Sequence, residues 1–217
     1  MLSFLLATIC LFSPPSGWEM APLKTPSPYV LIRFVGQGAT PFRPSMNLAI
    51  EEVDITLKEY VKAVQQIHQA DPKMRWRDLG PLAMQAGEGR LIELSSSSPY
   101  GEMKILQAFF IQENKAYILS TAVLKEEFAQ FQWDILKAFR SVHLVPDLGC
   151  SIADPAERIE FQDLVASLSS VGHREEERQK LVRQLMRHVE THSQLGAYWQ
   201  YLALQEGLAK IDPMQKE

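Results

Sequence analysis

Between residues 89 and 124 the chain reads GRLIELSSSSPYGEMKILQAFFIQENKAYILSTAVL, and its later part is apolar at both alternating sets of positions. Ile105, Phe109 and Ile111 fall on one parity, and Leu106, Ala108 and Phe110 on the other. Successive strand side chains point to opposite faces, so both faces of this segment are apolar. A strand with one wet face carries polar residues at every second position. The pattern predicts three antiparallel strands, joined by a loop at 95–101 and a tight turn at Glu113-Asn114-Lys115, in a sheet covered by helices on both faces.

The flanking pattern fits that sheet. Residues 29–35 alternate, with Val30, Ile32 and Phe34 on one side, and 46–53 read as a second strand. Gly36-Gln37-Gly38 between them lacks the third glycine of a phosphate-cradling loop and leads into Thr40-Pro41, so it reads as a turn. Thr56 and Glu59 have the spacing of a capping box ahead of a helix. That helix has a stripe of Leu57, Tyr60, Val61, Val64 and Ile67. Residues 74–79 and 82–85 are short strand candidates interrupted by Gly80-Pro81. A second helix is expected over 125–142, with Phe128, Phe131, Ile135 and Phe139 on its buried stripe.

Beyond Asp147 the period changes from two to helical. Asp154-Pro155-Ala156-Glu157 marks a helix start, and Phe161, Leu164, Val165 and Leu168 supply its apolar face. Leu181, Val182, Leu185, Met186 and Val189 continue in a second helix, and Leu195, Tyr198, Trp199 and Leu202 carry the stripe onward past Thr191-His192-Ser193. The chain therefore divides into an apolar leader with breaker (1–17), a Pro-rich segment (18–28), a sheet-bearing domain (29–146) and a C-terminal helical extension (147–217). The amphipathic 181–202 stretch either packs on the sheet or presents its stripe to another chain.

Composition narrows the function. A net charge of -4 and a pI near 5.8 argue against general nucleic-acid binding, which needs a basic surface. Residues 2–12 are an apolar run shorter than a membrane span, followed by Ser13-Pro14-Pro15, and fit the hydrophobic region of a secretory signal. They also offer a route to membrane association. No Lys or Arg precedes the run, and a buried N-terminal strand is the alternative. Cleavage after this segment would leave Cys150 as the only thiol, read as a passive residue in a loop.

Candidate chemistry is sparse. His188 and His192 stand at i and i+4 on a predicted helix, a spacing that lets two imidazoles share a metal, but no third ligand is identifiable. Glu175-Glu176-Glu177 between Arg174 and Arg178 reads as solvated charge. Trp18, beside the Pro-rich segment, and Tyr100, in its Ser/Pro/Gly loop, are expected to be exposed. With Trp199 they are the partner-contact candidates. No nucleophile, base and orienter assemble into a catalytic set, and no cofactor site is read.

Residues 29–145 resemble the PsbP/DcrB-like family. The resemblance rests on PFRPSMNLAIEEV, the helix TLKEYVKAVQQIH and the hairpin GPLAMQAGEGRLIEL. It extends through the strands MKILQAFFIQ and AYILSTAVL and the helix EEFAQFQWDILKAF. It implies an α+β fold, an antiparallel sheet in an α/β/α sandwich, and transfers no catalytic residue. It further implies a non-enzymatic binding or assembly protein of a bacterial cell envelope, exported or periplasmic, that docks to a protein partner. A cytosolic adaptor or secretion chaperone is the alternative. A metal-dependent enzyme using the C-terminal histidines is the third reading.

Overall fold

The computed structural model describes residues 8–22, 28–171 and 174–209. The chain forms two compact units, Pro14–Val142 and a discontinuous one made of Met1–Ser13 with His143–Glu217. The second begins with strand β1 (Ile9–Leu11). The first holds β2 (Glu19–Met20), β3 (Val30–Val35), β4 (Ser45–Glu52), α1 (Leu57–Gln69), β5 (Arg75–Met84), β6 (Gly87–Ser98), β7 (Gly101–Gln112), β8 (Lys115–Leu124) and α2 (Phe128–Arg140).

Within Pro14–Val142 the seven strands form one antiparallel sheet in the order β2-β3-β4-β8-β7-β6-β5. Glu113 and Asn114 both take positive φ, 52° and 57°, which a two-residue hairpin turn requires to match strand twist. The predicted 95–101 loop is shorter than its composition suggests. β6 runs to Ser98 and β7 starts at Gly101, so only Pro99 and Tyr100 make the turn. The Ser98 hydroxyl accepts from the Tyr100 N–H (3.1 Å) and donates to the Gly101 carbonyl (2.9 Å), bracing the turn. The candidates at 74–79 and 82–85 are one strand. A register shift between Asp78 and Gly80 absorbs the break, with Gly80 at φ 99°.

Helices cover both faces, as the two-sided apolar pattern requires. Tyr60 and Val61 of α1 pack with Ile92, Leu94, Phe109, Ala116 and Ile118, and Ile105 and Ile111 join the same cluster. On the opposite parity Leu106, Ala108 and Phe110 are buried, and the Lys104 ammonium lies 4.5 Å from the centre of the Phe128 ring, which places α2 on that side. The capping box forms as read: the Glu59 N–H donates to Thr56 Oγ1 (3.3 Å) and the Thr56 N–H to Glu59 Oε2 (2.9 Å). Ile67 departs from the expected stripe and is 70% exposed. At that end of α1 it is His68 that meets the sheet, stacking on Trp76 at 5.9 Å.

The discontinuous unit pairs β1 with β9 (His143–Val145), Cys10 standing opposite Leu144. Residues 143–145, read from the sequence as the close of the sheet-bearing domain, thus belong to the helical one. Its helices are α3 (Pro155–Ser170), α4 (Glu175–Thr191) and α5 (Gly196–Ala209). The Asp154 carboxylate caps α3 by accepting from the N–H groups of Ala156 and Glu157. Thr191-His192-Ser193 breaks the helical run, and Gly196 at φ 88° lets the chain turn into α5. Leu185, Val189 and Trp199 are buried with Phe161 and Leu168 of α3. The stripe that could have faced another chain is largely spent inside the unit's own core. No described helix is long and apolar enough to cross a membrane.

Candidate functional site

A concavity of the sheet-bearing unit lies between α1 and the β5–β6 hairpin. Its volume is about 570 Å³. Leu57 and Val61 of α1 meet Pro81 and Gly89 across an apolar floor, with Gln65 beside them. Gly89 is there because nothing larger fits: a Cβ would lie 2.5 Å from the Phe109 carbonyl oxygen and 2.4 Å from Met84 Cε. Lys58 and Lys62, one helical turn apart and both exposed, stand on the α1 rim.

The opposite wall is charged but largely self-satisfied. Asp78 accepts a two-pronged contact from Arg90, with Nε–Oδ1 at 2.8 Å and Nη2–Oδ2 at 2.5 Å. The Arg90 guanidinium holds the Asp78 carboxyl below the usual carboxylate range. Among the described residues neither Lys58 nor Lys62 has a carboxylate partner. The groove's uncommitted positive charge therefore sits on α1, with Glu88 facing it from β6.

The discontinuous unit brings the two candidate histidines together. Their ring centres are 4.6 Å apart, and His188 and His192 are 8% and 2% exposed. His192 Nδ1 lies 2.8 Å from the His188 carbonyl oxygen, and its Nε2 lies 3.1 Å from Glu157 Oε2. His188 Nδ1 is 3.9 Å from Glu160 Oε2, while its Nε2 is buried with no hydrogen-bond partner among the described residues. Burial, and then the neighbouring His192, push the His188 pKa below its ordinary value. Among the described residues no three His, Cys, Asp or Glu side chains are grouped to hold a metal ion. The pair joins α3 to α4.

The aromatic candidates separate by burial. Tyr100 is 56% exposed at its turn, leaning on Phe42 at 5.9 Å. Trp18, expected to be exposed, is buried. Its N–H bonds to the Pro15 carbonyl, and this turn tucks the indole over Gly36 and edge-on to Phe131. Proline-rich surroundings had suggested a free ring, but here they bend the chain back. Trp199 is also buried, its indole N–H donating to the Leu148 carbonyl at 3.0 Å, so it offers no face to a partner. Trp133 of α2 is 70% exposed. Its position two residues past Phe131 on α2 turns it away from the Phe131, Ile135 and Phe139 stripe, a signal the sequence carries.

Burial pushes Cys10 up to about 12, and Cys150 is raised by the hydrogen bond from its Sγ to Asp147 Oδ2. Cys10, Leu11 and Phe12 are each 3% exposed, so the described half of the apolar N-terminal run is occupied in packing.

An antiparallel sheet between helices on both faces makes this an α+β protein with an α/β/α sandwich. No protein-family model matches the chain, and no curated protein matches it in sequence. Among solved structures, LpqN of Mycobacterium tuberculosis, described as involved in cell envelope biogenesis, is similar over 64% of this chain and 85% of its own. The identity is 14% and the TM-score 0.50. CyanoP, the PsbP of the cyanobacterium Synechocystis, is similar over 67% of this chain and 96% of its own, with 12% identity and a TM-score of 0.45. The Ran-binding protein Mog1p of Saccharomyces cerevisiae is similar over 62% and 89%, with 17% identity and a TM-score of 0.43. These likenesses concern the fold.

Proposed function

We propose that this chain is a non-enzymatic binding protein of a cell envelope that docks a protein partner through its sheet-bearing unit. The observation that carries the reading is the α1/β5–β6 groove, an open apolar floor beside two uncommitted lysines. The envelope part draws on the role described for LpqN. The amphipathic stripe of α4 and α5 supports docking less, because its large side chains already fill a core. Fractionation of the source organism followed by crosslinked capture of the tagged full chain tests the proposal. A stoichiometric protein recovered from the envelope fraction is the expected result. Recovery of the chain without such a partner overturns it.

A second reading, a cytosolic adaptor, is favoured by β1. Cleavage after Gly17 would strip away the strand paired with β9 and, with it, the buried Phe12. N-terminal sequencing of the mature protein separates the readings. Residues 8–12 present in a cytosolic pool point to the adaptor.

A further inference from the structure

The groove's own chemistry says what kind of segment it suits, given the docking function proposed above. A partner can join a sheet-bearing unit either by adding a strand to its edge or by laying side chains into a concavity. β5 is the sheet's edge beside the groove, and it is poorly made for strand addition. Its register shifts between Asp78 and Gly80, and Pro81 has no N–H to donate. Groove docking is the route left open on this side.

The groove then sets the occupant's two faces. Its floor of Leu57, Val61, Pro81 and Gly89 takes apolar side chains, and Gly89 holds that floor at backbone level against Phe109. Lys58 and Lys62 project from one rim with the i, i+4 spacing of α1. Asp78 does not neutralise them, because Arg90 already occupies its carboxylate. Carboxylates repeating along one side of a helical segment match this rim, and the same repeat would meet Glu88 unfavourably if the segment were placed on the far wall.

We infer that the α1/β5–β6 groove receives a short amphipathic helix of the partner protein, its apolar stripe on the floor and flanking acidic residues against Lys58 and Lys62. A helix of this kind reads out as a few apolar anchors at i, i+3, i+4 and i+7. Charge pairing fixes which way round it lies and steers its approach.

The test titrates the full chain into a fluorescently labelled helical peptide of about 14 residues, with leucines on one face and flanking glutamates. A twin peptide has every glutamate replaced by lysine, and dodecanoate serves as a small anionic amphiphile. The glutamate peptide is expected to bind, more weakly as salt rises, and the lysine twin to fail. The double variant Lys58→Glu/Lys62→Glu should lose at least about tenfold in affinity with an unchanged circular dichroism spectrum, since both side chains are exposed. Equal binding of the two peptides, or an unchanged affinity in the double variant, overturns the inference. So does displacement of the peptide by dodecanoate at comparable concentration, which would give the groove to a small amphiphile. Capture of the cellular partner by the double variant at the wild-type level removes the groove from the docking function while leaving that function intact. A wild-type chain that binds the peptide yet captures no partner leaves the groove's chemistry in place and rejects the function.

Discussion

Gly89 and His188 show how much a single position can carry, and each yields a measurable outcome. At Gly89 a Cβ would meet both Met84 Cε and the Phe109 carbonyl, and the Phe109 backbone cannot move aside as the flexible Met84 side chain can. Gly89→Val should therefore destabilise the sheet-bearing unit by about 1–3 kcal/mol, the usual range for overpacking, read as a lower urea midpoint. His188 acts through protonation. Its folded pKa lies below its unfolded one, so the fold prefers the neutral ring. The stability this contributes is complete above the unfolded value of about 6.5 and is lost as pH falls through the folded value. Glu157 and Glu160 of α3 and Arg187 of α4 line the same cavity, with His192 against the ring. His188→Gln should flatten the loss of urea stability between neutral and mildly acidic pH relative to the wild type. An unchanged slope would show that the buried ring does not govern it.

At the scale of elements, caps were legible because their chemistry is local. Thr56 with Glu59, and Asp154 alone, satisfy backbone groups within a few residues of themselves. Asp154→Ala leaves the Ala156 and Glu157 N–H groups without their acceptor. It should cost α3 about 1 kcal/mol, seen as a reduced denaturation midpoint with little change in native helicity. Register and edge position were less legible. Gly80-Pro81 looked like an interruption, yet β5 passes through it because a bulge on an edge strand tolerates both residues. The serine run looked like a loop, yet it is ladder, since pairing with β7 outweighs composition.

For the molecule as a whole, the discontinuous unit is the main departure from the linear division of the sequence. An N-terminal strand pairs with residues 143–145, and Phe12 packs 5.1 Å from Tyr198 of α5. Phe12→Ala should destabilise this unit by about 3–5 kcal/mol, as for other buried aromatic truncations. Limited proteolysis should then cut within 143–209 at lower protease concentrations. Unchanged protease resistance would mean that the N-terminal segment is dispensable to the helices. This prediction also bears on processing, because removal of the segment would remove the same ring.

By itself the sequence determined the two-sided sheet, α1 and α2, and the change to helical period after Asp147, because periodicity and capping act between near neighbours. Tertiary structure alone decided that Trp18 and Trp199 are buried, that β1 closes a unit more than a hundred residues away in sequence, and that α1 and the β5–β6 hairpin leave a groove with Lys58 and Lys62 on its rim. Such outcomes depend on which distant surfaces meet. A side chain's burial is set by the partner that covers it, and that partner is not written in its own local pattern.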